Sequence, residues 1–248
     1  MELCYQEQRP EPALAAQVEC FWRLEAAGHV EGFRVLPDGC VDILFHSAPG
    51  RAPVLQLVGT MTRYQCFSLP AGSELAGVRV RPGAAVTTLQ IMPREITDTA
   101  LPLEDVWGAP GRRLRERLSN TRDNSRRLAL LAEAVRPASG TAICKACRWI
   151  EWREGRVNMD ELARRAGAST RHFRRLCLAE TGLSPKLLCR ALRLQGALRR
   201  LRAGGSCAAV ALACSYFDQA HMIRDFRDLA GATPRQCLAE MDGRFLQS

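Results

Sequence analysis

The chain of 248 residues is 47% hydrophobic and 25% charged, which is typical of a soluble globular protein with one large or two modest domains. Its N-terminal residues include acids and no apolar run, and no stretch approaches the ~20 consecutive apolar residues of a membrane span. We therefore expect no signal peptide, no contact with a membrane, and a cytoplasmic location.

The formal net charge of +9 is unevenly distributed along the chain. Residues 1–140 carry 16 basic and 16 acidic side chains, whereas residues 141–248 carry 19 basic and 10 acidic ones. A basic bias confined to one part of a chain is typical of a domain that binds a polyanion such as nucleic acid.

Residues 1–90 are predicted to be mostly β. Residues 13–24 are compatible with a short helix, and short apolar runs follow it, separated by Pro- and Gly-containing turn signals. These runs span residues 33–36, 41–45, 54–58, 65–69 and 75–80. Short strands at this spacing favour a small sandwich or barrel, for which a cupin-like half barrel is one of several open alternatives.

We found no pattern in this half that predicts chemistry. His29 and His46 are its only histidines, and neither belongs to a cluster with metal-ligand spacing. Asp38 and Asp42 flank a turn and a strand, so we expect surface or turn roles for them. We assign no catalytic residue, no metal and no cofactor, and expect the protein not to be an enzyme.

Residues 91–140 are predicted to be helical, with leucines at helical spacing in residues 112–118 and 125–136. Such amphipathic helices pair two subunits or pack on their own β domain, and the sequence favours neither. The Pro/Gly/Ser-rich residues 136–141 mark a domain boundary. The predicted organisation is a β-rich sensory or association domain (1–90), a helical linker or dimerisation region (91–140) and a DNA-binding domain (141–248).

Residues 158–182 have the pattern of a helix-turn-helix. Asn158 is placed to cap a first helix, with Glu161 completing a capping box. Gly167 lies at the turn, and Ser169 is placed to cap a second helix. One face of that helix carries Phe173, Leu176 and Cys177, and the arginines lie away from it.

The pattern occurs a second time after one intervening helix over residues 185–202. Residues 206–214 form the first helix of this second unit, Ser215 and Tyr216 the turn, and Asp218 caps the next helix. The predicted class is therefore α+β with two domains, the C-terminal one all-α and built of two helix-turn-helix units.

The second helix of each unit carries the candidate DNA contacts. On the first we expect Arg171, Arg174 and Arg175 to reach base edges, because arginine pairs with guanine O6 and N7. On the second, Arg224 and His221 are the leading candidates. We expect Ala220 to contact a thymine methyl group and Gln219 to reach adenine, although Gln219 is nearer the buried side. Phosphates are expected to meet Arg227 and the helix N-termini near Ser169 and Asp218.

Two long motifs carry a family resemblance: ELARRAGASTRHFRRLCLAETGLSPKLLCRALRL and VALACSYFDQAHMIRDFRDLAGATPRQC. They resemble the AraC/XylS family of bacterial transcription regulators over residues 143–239. The second motif departs from the family, with Ser215 in place of a usual Gly, Tyr216 of a usual Phe and Met222 of a usual aromatic residue.

The resemblance implies a transcription regulator, an activator or a repressor, whose partner is double-stranded DNA. It also implies RNA polymerase, a small-molecule effector and a second copy of the chain as candidate partners. The segments LPDGCVDILF, VGTMTRY and LAGVRVRPGAA resemble the uncharacterised β domain found ahead of some members of this family. In the family such a domain senses a small molecule or mediates association.

Two other function classes remain open. Eleven cysteines, including Cys144 and Cys147 in a C-x-x-C, leave a cysteine-based redox sensor or a protein like the DNA-repair methyltransferases as an alternative. We expect most of the cysteines to be small core residues. RNA binding through the basic helices is the third alternative.

Overall fold

The computed structural model describes residues 3–240, and its N-terminal part consists of two antiparallel sheets. Six strands form one sheet in the order β1-β2-β7-β4-β5-β8, and β3 pairs with β6 in the other. The strands are β1 (Leu3–Gln8), β2 (Val18–Ala26), β3 (Val30–Val35), β4 (Val41–Ser47), β5 (Val54–Val58), β6 (Gln65–Leu69), β7 (Ser73–Val80) and β8 (Ala100–Pro102).

Both faces of the six-stranded sheet are covered, and alternation along each strand decides which side chain faces which layer. On β4, Ile43 and Phe45 point into a core shared with helices, whereas Asp42 and His46 line the space facing the two-stranded sheet. On β7, Val78 joins the helical core. The space between the sheets is therefore lined by the residues that alternate with the helix-facing ones.

Helices cover the outer face of this sheet. Leu114 and Leu118 of one helix and Leu128 and Leu131 of the next are buried in the same core as Ile43. Of the two alternatives for these leucines, packing on their own β domain is the one observed. The helices are α1 (Ala85–Thr88), α2 (Leu103–Trp107), α3 (Ala109–Ser119) and α4 (Asn124–Ala134), with a short 3-10 turn at Pro93–Glu95.

The remainder of the described chain is helical, as the sequence predicts. The helices are α5 (Ala142–Trp152), α6 (Met159–Arg165), α7 (Thr170–Thr181), α8 (Pro185–Arg202), α9 (Cys207–Ala213), α10 (Gln219–Ala230) and α11 (Pro234–Glu240). Ser169, Ser184, Ser206 and Asp218 each accept a backbone N–H three residues on. These side-chain caps satisfy N–H groups that a helix start leaves unpaired.

The two-domain α+β class is confirmed, and three local predictions are wrong. Residues 18–24 belong to strand β2 instead of a helix: Cys20, Trp22 and Leu24 alternate into one core, and Phe21 on the other face interrupts the pattern. Residues 100–102 form a strand before α2 begins. Asn158 does cap α6, but Glu161 does not complete a capping box: its carboxylate pairs with Arg165 at 2.9 Å.

Among residues 3–240, no helix combines the length and apolar composition that crossing a bilayer requires.

Candidate nucleic-acid interface

The first helix-turn-helix consists of α6 and α7. Phe173 and Cys177 anchor α7 in a core shared with α5, α6 and α8, and both are fully buried. Gly167 forms the turn with φ of +65°, a conformation that a side chain disfavours. Arg171 and Arg174 lie on the opposite, exposed face of α7, as the spacing predicts.

The second unit, α9 and α10, repeats this arrangement with one strained position. Met222 and Phe226 are buried against α8, and Arg224 and Arg227 are exposed on the other face. Ser215 occupies the turn with φ of +56°, the region that Gly167 occupies in the first unit. A serine there carries a backbone cost that glycine does not.

The arginines of the exposed faces of α7 and α10 are distinguished by their lack of protein partners. Within residues 3–240, Arg171, Arg174, Arg224 and Arg227 make no side-chain hydrogen bond and no ion pair. On the neighbouring α8, by contrast, Arg190 pairs with Asp225 at 2.9 Å. The unpaired guanidinium groups are therefore available to an external anion.

Two predicted contact residues are engaged by neighbouring groups of the protein. Arg175 is exposed, but its guanidinium donates to Nδ1 of His172 at 3.0 Å. His221 is half-buried; its Nδ1 accepts the backbone N–H of Phe217, and its ring meets Tyr216 edge-on at 5.3 Å. This acceptor role assigns the imidazole proton to Nε2.

The expectation that Gln219 lies nearer the buried side is wrong. Gln219 is exposed together with Ala220 at the N-terminus of α10, because the buried residues of that helix begin at Met222. The hydroxyl of Ser169 is engaged as the cap of α7. Sequence reasoning missed Phe217, whose side chain is 91% exposed immediately before α10.

A basic groove lies between α7 and the start of α8. Its volume is about 750 Å³. The described residues that line it include Arg174, Arg175, Lys186 and Arg193, and no carboxylate is among them. A concave surface with four cations focuses a positive potential toward any anion that enters it.

Helix α8 joins the two units through charged contacts as well as through the core. Arg190 reaches α10 through Asp225, which is only 7% exposed. Arg199 and Arg200 meet Glu154, after α5, at 3.1 and 2.6 Å. Burial alone would raise the pKa of Glu154, but hydrogen bonds from these arginines hold it below its usual value. The two units therefore share one stiff scaffold.

The N-terminal domain contacts the C-terminal end of both α7 and α10. Each helix ends at a glycine with positive φ, Gly182 and Gly231. A Cβ at Gly182 would collide with the hydroxyl of Thr60, and one at Gly231 with the ring of Tyr64. The Tyr64 N–H also donates to the carbonyl of Leu229 at 2.8 Å. The loop between β5 and β6 (residues 59–64) thus touches both recognition helices.

A buried charged cluster between the sheets was not predicted from the sequence. Asp38 and Asp42 do not lie at the surface: both face Arg79, at 3.5 and 3.6 Å. Burial raises the pKa of Asp38 to about 7, although Arg79 acts in the opposite direction. Burial also lowers the pKa of His46 nearby. The register that places Asp42 directly opposite Arg79 depends on the pairing of β4 with β7.

The cysteines lie mostly in the cores. Eight of the eleven are buried, and all are reduced in this structure. Burial raises the pKa of Cys40 and, to about 12, that of Cys189, which is the opposite of an activated thiolate. Cys144 and Cys147 both face cores, as expected for packing residues. Residues 3–240 contain no cluster of three or more side chains suited to bind a metal.

Two family models match separate parts of this chain. A helix-turn-helix domain model matches residues 162–240. A model of a domain of unknown function matches residues 6–102. The expected resemblance is therefore confirmed: an AraC-type helix-turn-helix domain lies in the C-terminal region, behind an uncharacterised N-terminal domain. No curated protein matches the chain.

Several solved structures are similar. The DNA-binding domain of AdpA, a global transcriptional factor solved with a target DNA, is 25% identical over 40% of this chain and 92% of its own (TM-score 0.37). A probable AraC family regulator from Rhodopseudomonas palustris is 28% identical over 40% and 95% (TM-score 0.36). ToxT from Vibrio cholerae O395 is 10% identical over 98% and 99% (TM-score 0.44).

Proposed function

We propose that this protein reads a specific DNA sequence in two adjacent major grooves. Its C-terminal region is an AraC-type helix-turn-helix domain, which makes it a DNA-binding transcription regulator. Helix α7 enters one groove and α10 enters the next. The observation that carries the proposal is the set of exposed, unpaired arginines on both helices: Arg171, Arg174, Arg224 and Arg227.

The length of α8 supports simultaneous contact with two grooves. Its 18 residues span about 27 Å at ~1.5 Å per residue. Successive major-groove faces of B-DNA on one side are about 34 Å apart. With the lateral offset of the two recognition helices from the ends of α8, one chain reaches both grooves without a second subunit.

Within this proposal the side chains divide into two roles. Arg171, Arg174 and Arg224 read base edges, since each has a free guanidinium on the exposed face of its helix. Arg227, near the C-terminal end of α10, and Arg175, beside His172, bind phosphates. The basic groove, which Arg175, Lys186 and Arg193 help to line, binds the phosphate backbone between the two major grooves in this proposal.

The N-terminal residues of α10 have narrower roles. Exposed Ala220 contacts a thymine methyl group, and Gln219 reaches adenine from the same turn. His221 offers only Nε2–H, because Nδ1 is occupied by Phe217. The N-terminus of α7 at Ser169 meets a phosphate through its free backbone N–H groups.

Control by the N-terminal domain acts through the β5–β6 loop. Thr60 and Tyr64 of this loop meet the ends of both recognition helices, at Gly182 and Gly231. A shift of the loop therefore changes the separation of α7 and α10, and DNA is sensitive to that separation because its grooves have a fixed repeat. A small-molecule effector, RNA polymerase and a second copy of the chain remain the candidate partners.

The experiment is selection of binding sites by the full chain from a random double-stranded library, repeated at several salt concentrations. Enrichment of a site of about two turns with two half-motifs is the expected result. Salt-sensitive binding without any motif would mean that the arginines only bind phosphates, and it would overturn the proposed specificity.

A further inference from the structure

A cavity of about 220 Å³ lies between the two sheets of the N-terminal domain. Aromatic rings supply much of its wall: Tyr5, Trp22, Phe33 and Phe67. Phe67 is 40% exposed, which places it where the cavity meets solvent. A cavity of about 150 Å³ is enough to hold benzene, so this one accommodates a compact organic molecule with one ring or a short branched chain.

Arg79 is the arginine that lines this cavity. Three carboxyl groups surround it: Glu7 at 3.4 Å, Asp38 at 3.5 Å and Asp42 at 3.6 Å. Burial raises the pKa of Asp38 to about 7, so this carboxyl group is only partly ionised near neutral pH. Of the groups that line the cavity, His46 adds no positive charge near pH 7 because burial lowers its pKa. Among the described residues that line the cavity, none therefore offers an anionic ligand a positive charge that a carboxyl group does not already share.

Arg79 itself is not offered to a ligand. Its side chain is 8% exposed, and its Nε is buried without a hydrogen bond, within ion-pair distance of Asp38 and Asp42. A carboxylate ligand would have to displace one of the acids that already surround this guanidinium. The cavity thus lacks the free cation that recognition of an organic acid requires.

Asp42, by contrast, keeps an unused acceptor in the cavity. Its Oδ1 accepts a hydrogen bond from Trp22 Nε1 at 2.8 Å, whereas its Oδ2 accepts none within residues 3–240. The side chain remains 19% accessible. A partly accessible carboxylate beside the indole of Trp22 offers a charge-assisted hydrogen bond and a π face to the same cation.

We propose that this cavity binds a compact organic ammonium ion, with the ammonium group on Asp42 and the apolar body against Trp22 and Phe33. The ammonium group gives Asp42 a second positive partner beside Arg79, which Asp42 shares with Glu7. The aromatic walls exclude water, which strengthens the ion pair. The ligand therefore belongs to the amines and not to the organic acids.

A link to DNA binding follows if the proposed function holds. Gly59 and Met61 line the cavity, and they alternate with Thr60 in the loop that meets both recognition helices. A ligand in the cavity therefore contacts the β5–β6 loop, which meets the ends of both α7 and α10. Ligand binding itself is measured on the free protein, so its outcome is independent of any DNA result.

The test uses the full chain near pH 7 with three probes of similar shape: 2-phenylethylamine, 2-phenylethanol and phenylacetate. Binding is measured by titration calorimetry and by the ligand-induced shift in the unfolding temperature. We expect the amine to bind at least about tenfold more tightly than the alcohol or the acid, since only the ammonium group forms an ion pair with the Asp42 carboxylate.

Asp42→Asn keeps the shape of the side chain and removes its charge. It should weaken binding of the amine by at least about tenfold and weaken binding of the alcohol much less. Glu31→Gln, at an exposed position of β3, is the matched control and should change nothing. Circular dichroism verifies that each variant is folded. Equal or tighter binding of phenylacetate, no binding of any probe, or unchanged amine affinity in Asp42→Asn would overturn the proposal.

Discussion

Replacing Arg174 with alanine should weaken binding to the selected DNA site and relax the base preference at one position of the half-motif read by α7. The guanidinium of Arg174 is exposed and has no protein partner within residues 3–240. The substitution therefore breaks no internal contact, and the whole loss of affinity reports on DNA. A bidentate base contact discriminates by ~1–3 kcal/mol, equivalent to about 5- to 150-fold in Kd.

The double variant with Arg174→Ala and Arg224→Ala should lose about the sum of the two single effects on DNA affinity. Arg224 lies on α10, in the other unit, and is also unpaired. Effects at separate sites that share no partner add to within about 0.5 kcal/mol. Arg174→Ala with Arg224→Ala should therefore cost about 2–6 kcal/mol on the cognate site. Each substitution should relax the base preference in a different half-motif of the site.

The assay is fluorescence anisotropy on the selected site and on single-base variants of it, over a series of salt concentrations. Arg227→Ala is the comparison: it should weaken all sequences alike and reduce the slope of log K against log salt by about 0.9. Arg113→Ala, an exposed arginine of α3, is the charge-matched control and should have little effect. An equal loss from Arg174→Ala on every DNA tested would refute the assignment of base reading to α7.

Further predictions concern stability, geometry and pH. Ser215→Gly should stabilise the protein by about 1 kcal/mol in thermal unfolding, because φ at Ser215 is +56°; Gly167→Ala should destabilise it similarly, and the reverse order would contradict this account. Tyr64→Ala, which removes a ring packed on Gly231, should let half-motifs at more than one spacing emerge from site selection; an unchanged spacing would exclude the loop as a spacer. The free energy of unfolding of Asp38→Asn should rise by about 1–3 kcal/mol relative to that of the parent as the pH increases from 5 to 8. The native carboxyl retains its proton to about pH 7, whereas the unfolded one loses it near 4, so native stability falls as pH rises through this window. Chemical unfolding at several pH values measures the difference, and a constant difference would contradict the assignment.

The helices and caps of the C-terminal domain could be predicted from the sequence because each depends on residues that are close together in the chain. Caps such as Ser169 and Asp218 lie three residues from the N–H groups that they accept, and the buried residues of α7 recur within two turns. One detail differs from the prediction: Gln219 is exposed because the buried residues of α10 begin only at Met222. Helical periodicity gives the face of a residue, but not where the core begins.

The N-terminal cavity could not be predicted from the sequence, because it depends on the pairing of strands that are distant in the chain. Alternation alone predicts that Asp42 and Arg79, opposite the apolar stripes of β4 and β7, face water. In the structure the small sheet of β3 and β6 covers that side, so both residues become internal. The strand β2 was misassigned because buried Phe21, on the face opposite Cys20, Trp22 and Leu24, interrupts an otherwise alternating pattern.

The central claim is that one chain reads two adjacent major grooves, and methylation protection on the selected site tests it most directly. Dimethyl sulfate attacks guanine N7 in the major groove, where the arginines of α7 and α10 are proposed to bind. We expect two protected patches on one face of the duplex, separated by about 10–10.5 base pairs. Arg174→Ala should remove protection at one guanine of the α7 patch and leave the α10 patch intact, and Arg224→Ala should do the reverse. A single protected patch, or two that both disappear with either variant, would contradict the claim.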